Sequence, residues 1–89
     1  MVPIGAAATI HCETITQQYS LDWRKDLRPI AECERIVKQD AADGFEHSLT
    51  IYSVRKSDEG EYGVVIKDSY TAVTKITVVG EQLYSKMAF

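Results

Sequence analysis

Between Ala8 and Val79 the chain breaks into seven short runs of apolar, aromatic and β-branched residues separated by polar clusters, with almost no helical periodicity. This pattern constrains the fold more than any single residue. Period-two runs each present one apolar face, and that face must be buried against a second sheet. Ala8–Thr14 places Ala8, Ile10 and Cys12 on one face and His11 and Glu13 on the other. Ser20–Lys25 turns Leu21 and Trp23 inward. Leu27–Glu32 contains Pro29 and reads as a short edge segment. Glu34–Asp40 is a further strand, followed by a turn at Asp40–Gly44. His47–Val54 gives Leu49 and Ile51 to one face, with Val54 joining the core after a change of phase. A charged turn, Arg55–Gly60, precedes the last two strands, Glu61–Lys67 and Thr71–Val79.

The length of 89 residues fits one small domain with a single core. We expect that domain to occupy residues 1–80, with residues 81–89 as a tail of different character. In the tail Leu83, Tyr84 and Met87 fall on one stripe at helical spacing among good helix formers. Nine residues are too few to hold a helix alone, so the segment reads either as a frayed end or as the start of a helical linker.

Ten basic against thirteen acidic residues give a net charge of -3, and the cations do not cluster with aromatics. Nucleic acid and anionic membrane are therefore poor partners, and no run is apolar and long enough to cross a bilayer. Chemistry is equally sparse. His11 and His47, the only histidines, are read as solvent-facing strand residues, since no second ligand accompanies either at a metal-binding spacing. Cys12 and His11 are adjacent in a strand and point to opposite faces, so they cannot form a nucleophile and base pair. The acidic run Asp58, Glu59, Glu61 lacks a loop able to gather calcium ligands. We expect no metal, no cofactor and no catalysis.

Four features in order then become specific: Cys12, Trp23 eleven residues later, the segment Ser48–Ile51 with Leu49 inward, and Asp58-x-Gly60-x-Tyr62. Together they resemble an immunoglobulin domain of the intermediate, or I-set, type over about residues 2–79. The resemblance implies an all-β, two-sheet antiparallel Greek-key sandwich. Trp23 would fill the space between sheets, with Cys12 projecting towards it from the opposite sheet. Gly60 permits the turn at the corner, Tyr62 directs its hydroxyl back to that turn, and Asp58 would meet Arg35. Where disulfide-bonded members carry a second core cysteine this chain has Val64, so no disulfide is expected. Cys33 lies near an edge and is a poor substitute partner for Cys12. Only Met1–Ile4 precede Gly5, so a truncated first strand is expected: either the sequence begins partway into it or the domain lacks it, and in the second case an edge would be open to strand addition.

The missing disulfide, together with the absence of any Asn and hence of any N-glycosylation acceptor, leans towards a cytoplasmic setting. The resemblance is to domains of sarcomeric and cytoskeletal scaffolds of the myomesin, titin and obscurin kind. It implies a spacer, a force-bearing unit and a docking surface. Expected partners are neighbouring immunoglobulin or fibronectin-type domains of the same chain, or a second copy joined through the open edge or the C-terminal tail. An extracellular adhesion or receptor domain binding a protein ligand is the alternative.

Overall fold

The computed structural model describes residues 1–79 of the chain; the tail at 81–89, with Leu83, Tyr84 and Met87, lies outside the described residues. Nine strands follow one another: β1 (Val2–Pro3), β2 (Ala8–Glu13), β3 (Asp22–Lys25), β4 (Arg28–Pro29), β5 (Ile36–Asp40), β6 (Glu46–Ile51), β7 (Gly60–Ile66), β8 (Ser69–Ile76) and β9 (Val78–Val79). They form an antiparallel sheet in the order β2-β6-β5, a second in the order β4-β3-β7-β8, and a parallel pair β1-β9. A 3-10 turn, Lys56–Asp58, joins β6 to β7.

Both larger sheets contribute to one core. Ile10, Leu49 and Ile51 come from the first sheet; Trp23, Tyr62, Val64 and Ile76 come from the second. Trp23 and Val64 are register partners on β3 and β7, so the valine that stands in the cysteine position packs beside the indole. Cys12 is half-buried against this core from β2, and Cys12 and Cys33 are both free thiols. The indole N–H of Trp23 is buried with no acceptor among the described residues. An unsatisfied donor of this kind costs about 1–3 kcal/mol, which the large apolar area of the ring offsets.

Local backbone geometry explains several boundaries. Ser53 has φ +51°, and this left-handed residue shifts the alternation of β6 so that Val54, 1% exposed, turns into the core. The hairpins β3-β4 and β7-β8 close through two-residue turns, Asp26-Leu27 and Lys67-Asp68, with φ of 50° and 71°, then 50° and 64°. Turns of this kind require positive φ at both positions and usually recruit Asn or Gly. Here the Asp26 carboxylate accepts the Glu61 N–H at 3.0 Å, which ties the first turn to the start of β7. At Gly63, a Cβ would lie 2.4 Å from the Thr71 carbonyl and 2.5 Å from the Tyr70 hydroxyl. The missing side chain is what lets Tyr70 lie across β7, where its hydroxyl donates to Glu61 Oε2 at 3.0 Å.

Several sequence expectations change, among them the strand expected over Thr71–Val79, which begins at Ser69 and breaks at Thr77 into β8 and β9. The strand expected over Glu34–Asp40 begins at Ile36, because Cys33 and Ile36 close a tight loop through reciprocal backbone bonds. The edge segment expected over Leu27–Glu32 shrinks to Arg28–Pro29, since Pro29 offers no N–H to continue a ladder. His47 is buried, 3% exposed, instead of facing solvent. It shares its parity with Leu49 and Ile51 and therefore their inward face.

Candidate load-bearing and interaction surfaces

The corner between β6 and β7 is built from charge placed at low exposure. Asp58 is 6% exposed, and its Oδ2 accepts both the Arg55 N–H at 2.8 Å and Arg35 Nη1 at 3.0 Å. Arg35 Nη2 reaches Oδ1 at 3.3 Å, and Nη1 also donates to the Tyr52 and Ser53 carbonyls. Burial pushes the Asp58 carboxyl upward, but Arg35 and the Arg55 N–H outweigh it and hold the group below its ordinary value of 3.8. Tyr62, 2% exposed, donates its hydroxyl to the Asp58 carbonyl at 2.6 Å. Burial, then the negative charge of Asp58, raises that phenol far above its usual range, so it remains a donor at any physiological pH. Gly60 stands at φ +157° directly against the Asp26 carboxylate, where a Cβ would come within 2.7 Å of Oδ2. Arg35, Asp58, Gly60 and Tyr62 thus meet at one corner, while Cys12, Trp23, Leu49 and Val64 line the core.

The terminal strands meet beside this corner. Val2 is opposite Val78 and Pro3 opposite Val79 in parallel register, with Val2 N–H donating to the Thr77 carbonyl at 2.8 Å and Ile4 N–H to the Val79 carbonyl at 3.1 Å. In a parallel pair the start of β1 and the end of β9 point to opposite ends of the domain. A pull on those two strand ends would therefore act along the strands and across these bonds together. The first strand is short and pairs only with β9, so β2 keeps one edge without a strand partner among the described residues. A cleft of about 450 Å3 runs along that edge towards β8, lined by Val2, Ile10, Val73 and Ile76 among others.

The second concentration of polar groups was not foreseen. His47 Nδ1 lies 2.6 Å from Asp40 Oδ1, and Nε2 lies 3.1 Å from the Gly44 carbonyl and 3.3 Å from the Thr14 hydroxyl. Thr14 in turn donates to the Thr16 carbonyl at 2.8 Å. The cluster ties β5, β6 and their turn to Thr14, the residue after β2. Cys12 is the register partner of His47, and both line an open cleft of about 780 Å3. A thiol, an imidazole and a carboxylate are thus neighbours, in the order familiar from cysteine nucleophiles. The arrangement does not activate the thiol: both ring nitrogens already serve Asp40, Gly44 and Thr14, and burial raises the thiol of Cys12 away from the thiolate. No group of three or more metal-binding side chains occurs among the described residues. No helix among them is long and apolar enough to cross a membrane.

Comparison with known proteins agrees with this architecture. The family model of the immunoglobulin I-set domain matches residues 1–79. A curated relative, the titin homolog of Caenorhabditis elegans, is 32% identical over 87 residues, covering 97% of this chain and a share of its own length that rounds to 0%. Among solved structures, a single titin domain superposes with a TM-score of 0.74 at 24% identity, covering 88% of this chain and 85% of that one. A titin tandem gives 0.75 at 24% identity, covering 88% of this chain and 28% of that one. An immunoglobulin-like domain of human obscurin-like protein 1 gives 0.72 at 19% identity, covering 89% and 75%. With its sandwich core, its Asp58-Gly60-Tyr62 corner and a family match over residues 1–79, the chain belongs to the immunoglobulin I-set family.

Proposed function

We propose that the chain is a non-catalytic structural module of an intracellular muscle or cytoskeletal scaffold, serving as spacer, load-bearing unit and docking surface in a row of similar domains. The observation that carries this reading is the parallel β1-β9 pair, whose backbone bonds a pull on the two ends would load in shear. Backbone bonds loaded together resist a pull that would open them easily in sequence. The similarity to a titin homolog and to titin tandem structures supports neighbours of the same kind in one chain, and with them a sarcomeric location. Free thiols at Cys12 and Cys33 fit a reducing compartment. Residues 1–80 are the module in this reading, and residues 81–89 are a connector whose Leu83, Tyr84 and Met87 contact the neighbour.

Stretching the 89-residue chain by its ends between marker domains tests the load-bearing role. Resistance comparable to the markers is expected; a domain that extends without a resolvable rupture event overturns it. The edge of β2 that has no strand partner among the described residues also offers a second copy a place to add a strand. Sedimentation velocity over a rising concentration series should then show a dimer, and a strict monomer throughout refutes that contact.

A further inference from the structure

The backbone ladder between β7 and β8 ends at Gly60 opposite Ile76. Beyond that point β9 pairs, among the described residues, with β1 alone, and β1 takes the carbonyls of Thr77 and Val79. Because successive peptide groups in a strand alternate sides, the N–H and C=O of Val78 face away from β1, towards the 3-10 turn. No strand among the described residues meets them there. Two side chains do: Glu59 Oε1 accepts the Val78 N–H at 2.9 Å, and Lys56 Nζ donates to the Val78 carbonyl at 2.8 Å. Lys56 and Glu59 also bond each other at 3.0 Å, closing a ring on the N–H and C=O of one residue. The Val78 N–H and then Lys56 hold the Glu59 carboxyl below its usual range, so it is ionised at neutral pH. Val78 is 0% exposed, although the two charged side chains that hold it stand at 44% and 38% exposure.

We propose that Lys56 and Glu59 form a side-chain clip that takes the place of a strand on the second edge of β9, shares the load carried by the β1-β9 pair, and makes the rupture strength of the domain sensitive to ionic strength. The inference rests on the load-bearing reading above and gives it a regulation. A pull on the C-terminal end must break the β1 bonds and the clip together, because Val78 is held from both sides at one position along the strand. Salt weakens the exposed ion pair while leaving the backbone bonds nearly untouched.

The test is force-clamp unfolding of the full 89-residue chain, held by its ends between marker domains, for the wild type and for Glu59→Ala, Lys56→Ala and Lys67→Ala. The last removes a charge from the exposed β7-β8 turn and controls for net charge. Loss of the Glu59 carboxylate should speed unfolding at a fixed load about five-fold, the effect of one hydrogen bond of typical net strength. Lys56→Ala should act in the same direction, and Lys67→Ala should change nothing. Raising the salt from dilute to molar should speed the wild type but not Glu59→Ala. Amide exchange provides a second readout that does not depend on force. In Glu59→Ala the Val78 amide should lose protection while those of Val2 and Ile4 keep theirs. A wild type that resists, with Glu59→Ala matching it at every load, overturns the clip alone. A wild type that yields without resistance overturns both the clip's mechanical role and the load-bearing reading.

Discussion

Asp58→Asn is nearly isosteric and removes one thing, the negative charge on which the corner is assembled. In the folded chain that carboxylate accepts three hydrogen bonds, one from the Arg55 N–H and two from the Arg35 guanidinium, at 8% side-chain exposure for Asp58 and 22% for Arg35. Breaking a fully buried pair from one side costs about 3–5 kcal/mol. Partial exposure of Arg35, which still keeps the Tyr52 and Ser53 carbonyls, reduces the expected loss to about 2–3 kcal/mol. For a domain of this size the melting temperature should fall by about 10–20 °C.

The pH dependence of that loss is the sharper test. Because the folded-state carboxyl sits below its ordinary value of 3.8, its contribution is fully present above that value and is lost as pH falls through the folded-state value. The gap between wild type and Asp58→Asn should therefore be constant near neutrality and close in acid, where a protonated aspartic acid and an asparagine become equivalent. Urea unfolding followed by Trp23 fluorescence, repeated from pH 7 to pH 2, measures the gap. A variant within about 0.5 kcal/mol of wild type at pH 7, where surface changes usually fall, refutes the reasoning, as does a gap that persists unchanged into acid.

Three further outcomes follow from other parts of the structure. Gly63→Ala should cost about 1–3 kcal/mol, because its Cβ meets the Thr71 carbonyl at 2.4 Å and the backbone of the β7-β8 pair has to give way; chemical denaturation measures it, and Tyr70→Ala in the same background should recover little, since the backbone clash remains. His47→Ala should destabilise by about 2–4 kcal/mol by removing the imidazole that Asp40 and the Gly44 carbonyl face and opening a cavity beside Cys12; loss of amide protection should concentrate in the β5-β6 turn. Thiol labelling of the native, non-reduced protein should modify exposed Cys33 quickly and half-buried Cys12 slowly, Cys12 becoming fast only on unfolding. Recovery of a Cys12-Cys33 disulfide instead would remove a main support of the intracellular reading.

The corner was legible because its information is local. Asp58, Gly60 and Tyr62 lie within five residues, and each residue type answers a need of the turn itself: an acceptor for N–H groups, a backbone free of Cβ against Asp26, and a hydroxyl able to reach back to a carbonyl. The inward face of β6 was legible too, yet His47 was placed outside it. A polar residue type was given more weight than its position two and four residues from Leu49 and Ile51. The parity was the signal that could have found it, and Asp40, seven residues away, supplies the partner that makes burial affordable.

The parallel pairing of β1 with β9 has no counterpart in local sequence. Val2–Pro3 and Val78–Val79 are too short to display periodicity, and their register depends on where the two larger sheets leave the chain ends. The same holds for Lys56 and Glu59. In the sequence they are two charges in a solvated turn, and only the end of the β7-β8 ladder at Gly60 brings them against the Val78 peptide. The sequence by itself determined the all-β class, the position of the core strands and the chemistry of the corner, because alternation and turn-forming residues act over a few positions. Tertiary structure alone decided which backbone groups at the chain ends would lack a strand and which distant side chains would reach them, since that is a matter of how two finished sheets stack.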